Sequence, residues 1–297
     1  MSTFSLRGAF TALVTPFDRE GSQIDWAAYE KLVAGQLDNG VAGLVPCGTT
    51  GETPTLSDAE QREIVQRTAA LVRGRVPILA GTGTNNTKKS IDLSKAAIEA
   101  GANAVMIVMP YYSKPSQEGM IRHVEVIARE VGAPIVLYNI PGRTGVELGV
   151  EPFLRILDQS PNVVGVKDAT GNVLHCQELL RRAGDRVVVV SGDDPLTLPL
   201  MSVGAKGVIS VTSNLYPREV SASVDDALAG RWDEALGMHR RLLPVHRALF
   251  LEPNPQPLKA ALALKKRMHP SVRLPMLEAS EATRQLLADV MRTFEAP

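Results

Sequence analysis

The run Val163-Val164-Gly165-Val166-Lys167 ends on a single amine. Four small or β-branched residues read as a buried strand of a parallel sheet. A lysine at the tip of such a strand is partly desolvated, which disfavours the ammonium form and lowers its pKa. A neutral amine condenses with a ketone or aldehyde to give a Schiff base. A lysine whose stem packs while its head reaches water is the commoner alternative, so the neighbouring motifs carry the weight. Gly48-Thr49-Thr50-Gly51-Glu52 sets two hydroxyls and free N–H groups between glycines, which suits a carboxylate or other oxyanion; a plain turn has the same composition. Tyr138-Asn139-Ile140-Pro141-Gly142-Arg143-Thr144-Gly145 puts a phenol before a rigid Pro-Gly turn that presents an arginine. A phenol can relay a proton and a guanidinium can clamp a carboxylate; a core tyrosine and a surface ion pair are the alternatives. Tyr111 and Tyr112, in Pro110-Tyr111-Tyr112-Ser113-Lys114-Pro115, suit packing or an interface. An amine nucleophile, a phenolic shuttle, an oxyanion turn and an arginine clamp together imply a small keto acid and carbon–carbon chemistry through an imine.

These groups need a scaffold that gathers the ends of many strands. Short apolar runs recur at Phe10–Val14, Gly43–Pro46, Pro77–Ala80, Ala104–Val108, Pro134–Tyr138, Val163–Lys167, Val187–Ser191 and Gly207–Val211. Between them lie stretches of helical periodicity, such as Ile64, Val65, Thr68 and Leu71, then Ile91, Ser94, Lys95 and Ile98. Ser57 with Glu60 reads as a capping box, and Gly101 after Ala100 as a C-terminal stop. Eight βα units fit a closed (β/α)8 TIM barrel or a doubly wound open sheet. Thr15-Pro16-Phe17-Asp18 after the first run is not a dinucleotide-binding glycine turn, and chemistry-bearing residues follow many different strands, so the α/β barrel is favoured. The expected organisation is a barrel over residues 1–230 carrying the site and a C-terminal helical subdomain over 231–297. Gly81-Thr82-Gly83-Thr84-Asn85 lacks the lysine of a phosphate-binding loop and reads as structural.

Composition narrows the setting. The 297 residues are 44% hydrophobic and 22% charged, ordinary for a globular enzyme, and Lys+Arg and Asp+Glu each number 32. That balance gives no field for nucleic acid or an anionic membrane. No apolar run approaches the roughly 18 residues a membrane span needs. Met1–Gly8 lacks the features of a signal peptide, and two cysteines, Cys47 and Cys176, cannot make a disulfide framework, so a cytoplasmic setting is expected. Cys47 reads as a small hydrophobe. The five histidines are scattered, so no metal is expected; His123 and His239 read as ordinary surface or packing residues.

The Gly48–Glu52, Tyr138–Gly145 and Lys167-Asp168-Ala169-Thr170-Gly171-Asn172 motifs, in this order and spacing, resemble the dihydrodipicolinate synthase / N-acetylneuraminate lyase family. The likeness runs from about Gly8 to Leu277 and includes Glu252-Pro253-Asn254-Pro255-Gln256-Pro257-Leu258-Lys259. Pro110-Tyr111-Tyr112 and Arg143 look like the synthase branch rather than the sugar-acid lyases. The resemblance implies a Schiff-base lyase that condenses pyruvate with L-aspartate-4-semialdehyde on the route to diaminopimelate and lysine. It implies Lys167 as the imine-forming amine and Tyr138, Thr50 and Tyr112 as a proton relay, with Tyr112 reaching into a neighbouring subunit. It further implies Thr49 and Thr50 on the pyruvate carboxylate, Arg143 on the semialdehyde, and Gly192 and Ile209 lining the pocket. No cofactor and a homotetramer built as a dimer of dimers follow from the same likeness.

Feedback-inhibited members commonly place a histidine and a glutamate in an interface site for lysine. The matching positions are Asp58, Gln61 and Lys89, beside Asn85 and Tyr111. Lys89 carries the wrong sign for a lysine effector, so weak or absent inhibition by L-lysine is expected. A paralogous aldolase or dehydratase on a sugar acid or another 2-keto acid would keep Lys167 and Tyr138 without needing both Arg143 and Tyr112. A non-catalytic binding protein on the same scaffold would need no complete imine and relay set.

Overall fold

The computed structural model describes residues 4–296. Met1–Thr3, the start of the stretch read for targeting, and Pro297, the end of the expected C-terminal subdomain, lie outside the described residues. Among the described residues, eight parallel strands form one sheet: β1 (Gly8–Ala12), β2 (Gly43–Val45), β3 (Leu79–Gly81), β4 (Ala104–Val108), β5 (Ile135–Asn139), β6 (Val163–Asp168), β7 (Val188–Ser191) and β8 (Gly207–Ser210). Their order is β2-β1-β8-β7-β6-β5-β4-β3. The two ends meet through a parallel bridge between Leu44 and Ile78, and the Leu44 N–H donates to the Pro77 carbonyl at 3.0 Å. The sheet is therefore a barrel, not the open doubly wound alternative. β1 begins two residues earlier than the apolar run suggests. Its ladder with β8 starts at Gly8↔Gly207, and the Val14 N–H has left the sheet to donate to Asn214 Oδ1.

The strands alternate with helices α1 (Trp26–Asp38), α2 (Asp58–Val72), α3 (Thr87–Glu99), α4 (Gln117–Val131), the short α5 (Pro141–Thr144), α6 (Val150–Gln159), α7 (Val173–Ala183), α8 (Thr197–Ser202) and α9 (Pro217–Leu228). Local chemistry starts them. Ser57 accepts the Glu60 N–H while Glu60 accepts the Ser57 N–H, the anticipated capping box of α2. Asp25, Asn86, Ser116 and Asn172 cap α1, α3, α4 and α7 more simply, each side chain accepting the N–H of the residue three positions on. Gly101, just past the C-terminus of α3, takes φ +106°, which a side chain resists. On α3, Ile91 and Ser94 are buried, whereas Lys95 faces outward and pairs with Glu130.

Two apolar clusters follow from strand alternation. One lies between the strands and the surrounding helices. The other fills the barrel itself with Leu6, Phe10, Val45, Leu79, Met106, Val136, Val190 and Ile209. Leu6 closes the lower end against Gly165, where an added Cβ would sit 2.6 Å from Leu6 Cδ2 and 2.9 Å from the Val188 carbonyl oxygen. Beyond α9 come α10 (Trp232–Ala248), α11 (Gln256–Leu264) and α12 (Glu281–Glu295). Ala235, Leu242, Leu258 and Leu287 from these helices join the same cluster that lines the outside of the barrel. The stretch Asn254–Leu262 is buried without interruption. No helix among the described residues is long and apolar enough to cross a membrane.

Candidate active site

The register of β5 and β6 pairs Tyr138 with Lys167 and Asn139 with Asp168. Residues paired in a parallel ladder share a face, so Tyr138 and Lys167 both turn into the barrel mouth at the carboxyl ends of their strands. The Lys167 Nζ lies 4.1 Å from the centroid of the Tyr138 ring. Both are nearly sealed, at 5% exposure each. Burial pushes the Lys167 amine down to about 8; the Asp194 carboxylate opposes that and the Arg143 guanidinium adds to it. Burial pushes the Tyr138 phenol up to about 12, against the pull of Arg143 and of a hydrogen bond with Thr49; Asp193 adds to the rise. At neutral pH the phenol therefore keeps its proton, and a useful fraction of the amine is free.

The Lys167–Asn172 motif is rigid for local reasons. Asp168 Oδ1 accepts both the Thr170 N–H at 2.9 Å and the Thr170 hydroxyl at 2.7 Å. The Asn172 N–H donates to Thr170 Oγ1, and the Asn172 side chain caps α7 at His175. Strand tip and helix start are thus tied within six residues. Gly192 closes the other side of the lysine: a Cβ there would meet Lys167 Cγ at 3.0 Å and Ala169 Cβ at 2.9 Å. Ile209, 1% exposed, stands in the interior cluster with Tyr138 and Val190 and forms the floor.

The loop carrying Arg143 is anchored by Asn139, whose amide donates to the Leu148 carbonyl while its carbonyl accepts the Leu148 N–H, each at 3.0 Å. Pro141 starts α5 and Gly145 ends it with φ +72°, leaving Arg143 exposed at the rim. A cleft of about 580 Å³ runs from Thr49, Tyr138 and Arg143 out to Asp58, Gln61, Asn85, Lys89 and Tyr111. A larger cavity, about 910 Å³, lies between α1 and the start of α9 and holds none of the strand-tip groups.

The two adjacent threonines divide differently from the expectation. Thr49, not Thr50, meets the Tyr138 phenol. The turn after β2 is a single 3-10 turn, Thr49–Gly51, so neighbouring side chains diverge. Thr50 is 3% exposed and its Oγ accepts from the Asn254 amide at 3.0 Å. The phenol thus has Thr49 as its neighbour, and the Thr50 hydroxyl faces Asn254. Tyr112 is also not gathered by one chain: it is 89% exposed and holds φ +70° on the outer surface. Lys89 pairs with Asp58 across the rim of the cleft, Gln61 turns inward to the Leu56 carbonyl, and Asn85 donates to the Tyr111 carbonyl. Cys47 is buried, with its thiol pushed up to about 12, as a packing residue requires.

Sequence reading assigned no role to Asp193, Asp194 or Asn254. The two aspartates follow β7 after Gly192 and act on Tyr138 and Lys167, respectively, through space. Asp194 is 2% exposed, and its carboxylate accepts the Ser210 hydroxyl and the Val211 and Thr212 N–H groups. Asn254 lies too far along the chain for any local pattern to link it to Thr50.

Residues 5–293 match the Dihydrodipicolinate synthetase family. The chain is 57% identical over 296 residues to a 4-hydroxy-tetrahydrodipicolinate synthase of Sorangium cellulosum, covering 100% of this chain and 98% of that one. It is 46% identical over 284 residues to the synthase of the same name from Nitratidesulfovibrio vulgaris strain DP4, covering 96% and 97%. Its fold superposes on the structure of the 4-hydroxy-tetrahydrodipicolinate synthase from Methylacidiphilum fumariolicum SolV with a TM-score of 0.96 and 43% identity, over 98% of this chain and 96% of that one. With a buried strand-tip amine, a facing phenol and likeness along nearly its whole length, this chain belongs to the dihydrodipicolinate synthetase family.

Proposed function

We propose that this chain condenses pyruvate with L-aspartate-4-semialdehyde to 4-hydroxy-tetrahydrodipicolinate. The observation that carries the reading is the Lys167 amine, lowered to about 8 and set against the Tyr138 ring in the barrel mouth. The names of the relatives supply the product, and the site supplies the parts. The Lys167 Nζ adds to the pyruvate ketone carbon; the carbinolamine loses its hydroxyl as water when Tyr138 donates a proton, giving the imine. The Tyr138 phenolate takes a methyl proton, yielding the enamine, whose carbon forms the new bond to the semialdehyde carbonyl carbon while the resulting alkoxide takes a proton back from the phenol. The amine of the second substrate then attacks the imine carbon, closing the ring and releasing Lys167. One water leaves per turnover. Thr49 returns the proton to the phenol, and Thr49 and Thr50 receive the pyruvate carboxylate. Arg143, exposed at the rim, receives the second carboxylate.

The exposed Tyr112 supports a site completed by a second copy of this chain within a homotetramer, in the cytoplasm. A coupled assay with pyruvate and a panel of aldehyde acceptors tests the function. Preferred turnover of aspartate semialdehyde supports it, and preference for a sugar-acid aldehyde overturns the choice of acceptor.

Replacing Arg143 by Ala removes a charge-assisted pair worth about 1.5–3 kcal/mol, one to two powers of ten in apparent affinity. The expected result is a raised KM for the semialdehyde with imine formation from pyruvate intact. Equal damage to both half-reactions would show that Arg143 serves something other than the second substrate.

L-lysine should inhibit weakly or not at all, because Lys89 already occupies Asp58 and would set ammonium against ammonium. Titration to millimolar L-lysine at subsaturating pyruvate checks this, and strong saturable inhibition would refute it.

A further inference from the structure

Asn254 stands at the end of a chain excursion that returns from α10 to the barrel mouth, and its side chain is 5% exposed. Its Nδ2 donates to Thr50 Oγ at 3.0 Å. Its Oδ1 is buried and finds no donor among the described residues. We infer that Asn254 is a positioning residue which, by donating to Thr50 Oγ, aims the Thr50 hydroxyl hydrogen at the substrate carboxylate.

The argument is one of donor and acceptor count. A threonine hydroxyl has one hydrogen and two lone pairs. An amide N–H only donates, so it occupies a lone pair and cannot receive the hydroxyl hydrogen. That hydrogen has no acceptor in the hydrogen bonds of Thr50 with the described residues, and it stays available to an incoming anion. Thr50 lies in the turn whose other hydroxyl, on Thr49, serves Tyr138. Thr49 then divides its side chain's work between the phenol and the carboxylate, whereas the Thr50 hydroxyl serves the carboxylate alone, in a fixed polarity. Neighbouring contacts keep Asn254 in place: Lys259, five residues on, pairs with Glu52 in the same turn at 2.5 Å, and both are sealed from solvent. Thr15 Oγ donates to the Gly51 carbonyl at 2.8 Å, bracing the turn from the β1 side.

The inference rests on the proposed imine chemistry, and the experiment separates the two. Borohydride trapping at Lys167 is followed by intact mass as a function of pyruvate, and in parallel of acetone, which has the ketone without the carboxylate. Asn254→Ala should raise the half-saturating pyruvate concentration about tenfold while acetone trapping stays within about twofold. Asn254→Asp, nearly the same shape but accepting where Asn donates, should take the Thr50 hydrogen and weaken pyruvate trapping at least as much, again sparing acetone. On a Thr50→Val background neither Asn254 substitution should add to the loss for pyruvate, because the hydroxyl being aimed is gone. Equal loss for pyruvate and acetone, no loss for either, or additivity with Thr50→Val would overturn the positioning role. No adduct at Lys167 in the unsubstituted protein would instead overturn the imine chemistry, and this inference with it.

Discussion

Replacing Lys167 by Ala should lower turnover by about 10⁴-fold or more and abolish the borohydride-trapped pyruvate adduct. Removing the nucleophile of a covalent mechanism costs several powers of ten, because no other group can form the intermediate. Lys259, also pushed down to about 8, cannot stand in for it, being sealed and paired with Glu52. The pH dependence follows from the same burial. Only the neutral amine attacks, so the trapping rate in the unsubstituted protein should rise with pH and level off above about 8, where the Lys167 proton is lost. An ordinary exposed lysine would keep rising to about 10.4. Residual adduct in Lys167→Ala, or a limb near the ordinary lysine value, would remove Lys167 from the mechanism.

The second large effect is on stability. Lys259 and Glu52 are 0% and 2% exposed, and the ammonium also donates to the Ser271 carbonyl at 2.8 Å and lies 4.0 Å from the Phe17 ring centroid. Glu52 accepts the Arg273 N–H at 3.0 Å and holds φ +57° at the end of the Thr49–Gly51 turn. Lys259→Met leaves that carboxylate buried without its cation, a loss of about 3–5 kcal/mol. The double variant Glu52→Gln/Lys259→Met removes both charges and should recover more than half of it, since a buried pair is often no more stable than a well-packed neutral substitute. Denaturant unfolding of both variants measures this. A loss below about 1 kcal/mol for Lys259→Met, or no recovery in the double variant, would show that the charges do not depend on each other.

The parts of the site legible in the sequence are those that one stretch of chain builds alone. Lys167 is read from its strand and Arg143 from its Pro-Gly turn, and the Asp168–Thr170–Asn172 bonds fall within the same motif. Eight apolar runs with helical spacers were enough for the barrel, because burial on both faces leaves a parallel strand few polar positions. What was not legible depends on direction or distance. Thr49 and Thr50 are equivalent as letters, and only the 3-10 turn decides which hydroxyl meets Tyr138. The shift of β1 toward Gly8 is set by its partner β8, two hundred residues away in sequence. Asn254 and Lys259 belong to a recognisable proline-rich segment, yet nothing local indicates that it folds back on the turn after β2. Tyr112 is plain in the sequence, but one chain leaves it 89% exposed, away from Lys167 and Tyr138.

The return of that late segment has a consequence for synthesis on the ribosome. The turn that holds Thr49, Thr50 and Glu52 is among the first parts made, and its partners Asn254, Lys259 and Arg273 are among the last. All eight strands are complete at Ser210, yet a nascent chain halted there would carry Lys167 and Tyr138 beside an unbraced turn and an unpaired Glu52. At about 5–20 residues per second, several seconds separate a finished sheet from a finished site. During that interval a chain that already has its nucleophile should lack the means to hold a keto acid against it, and competence should arrive in one late step.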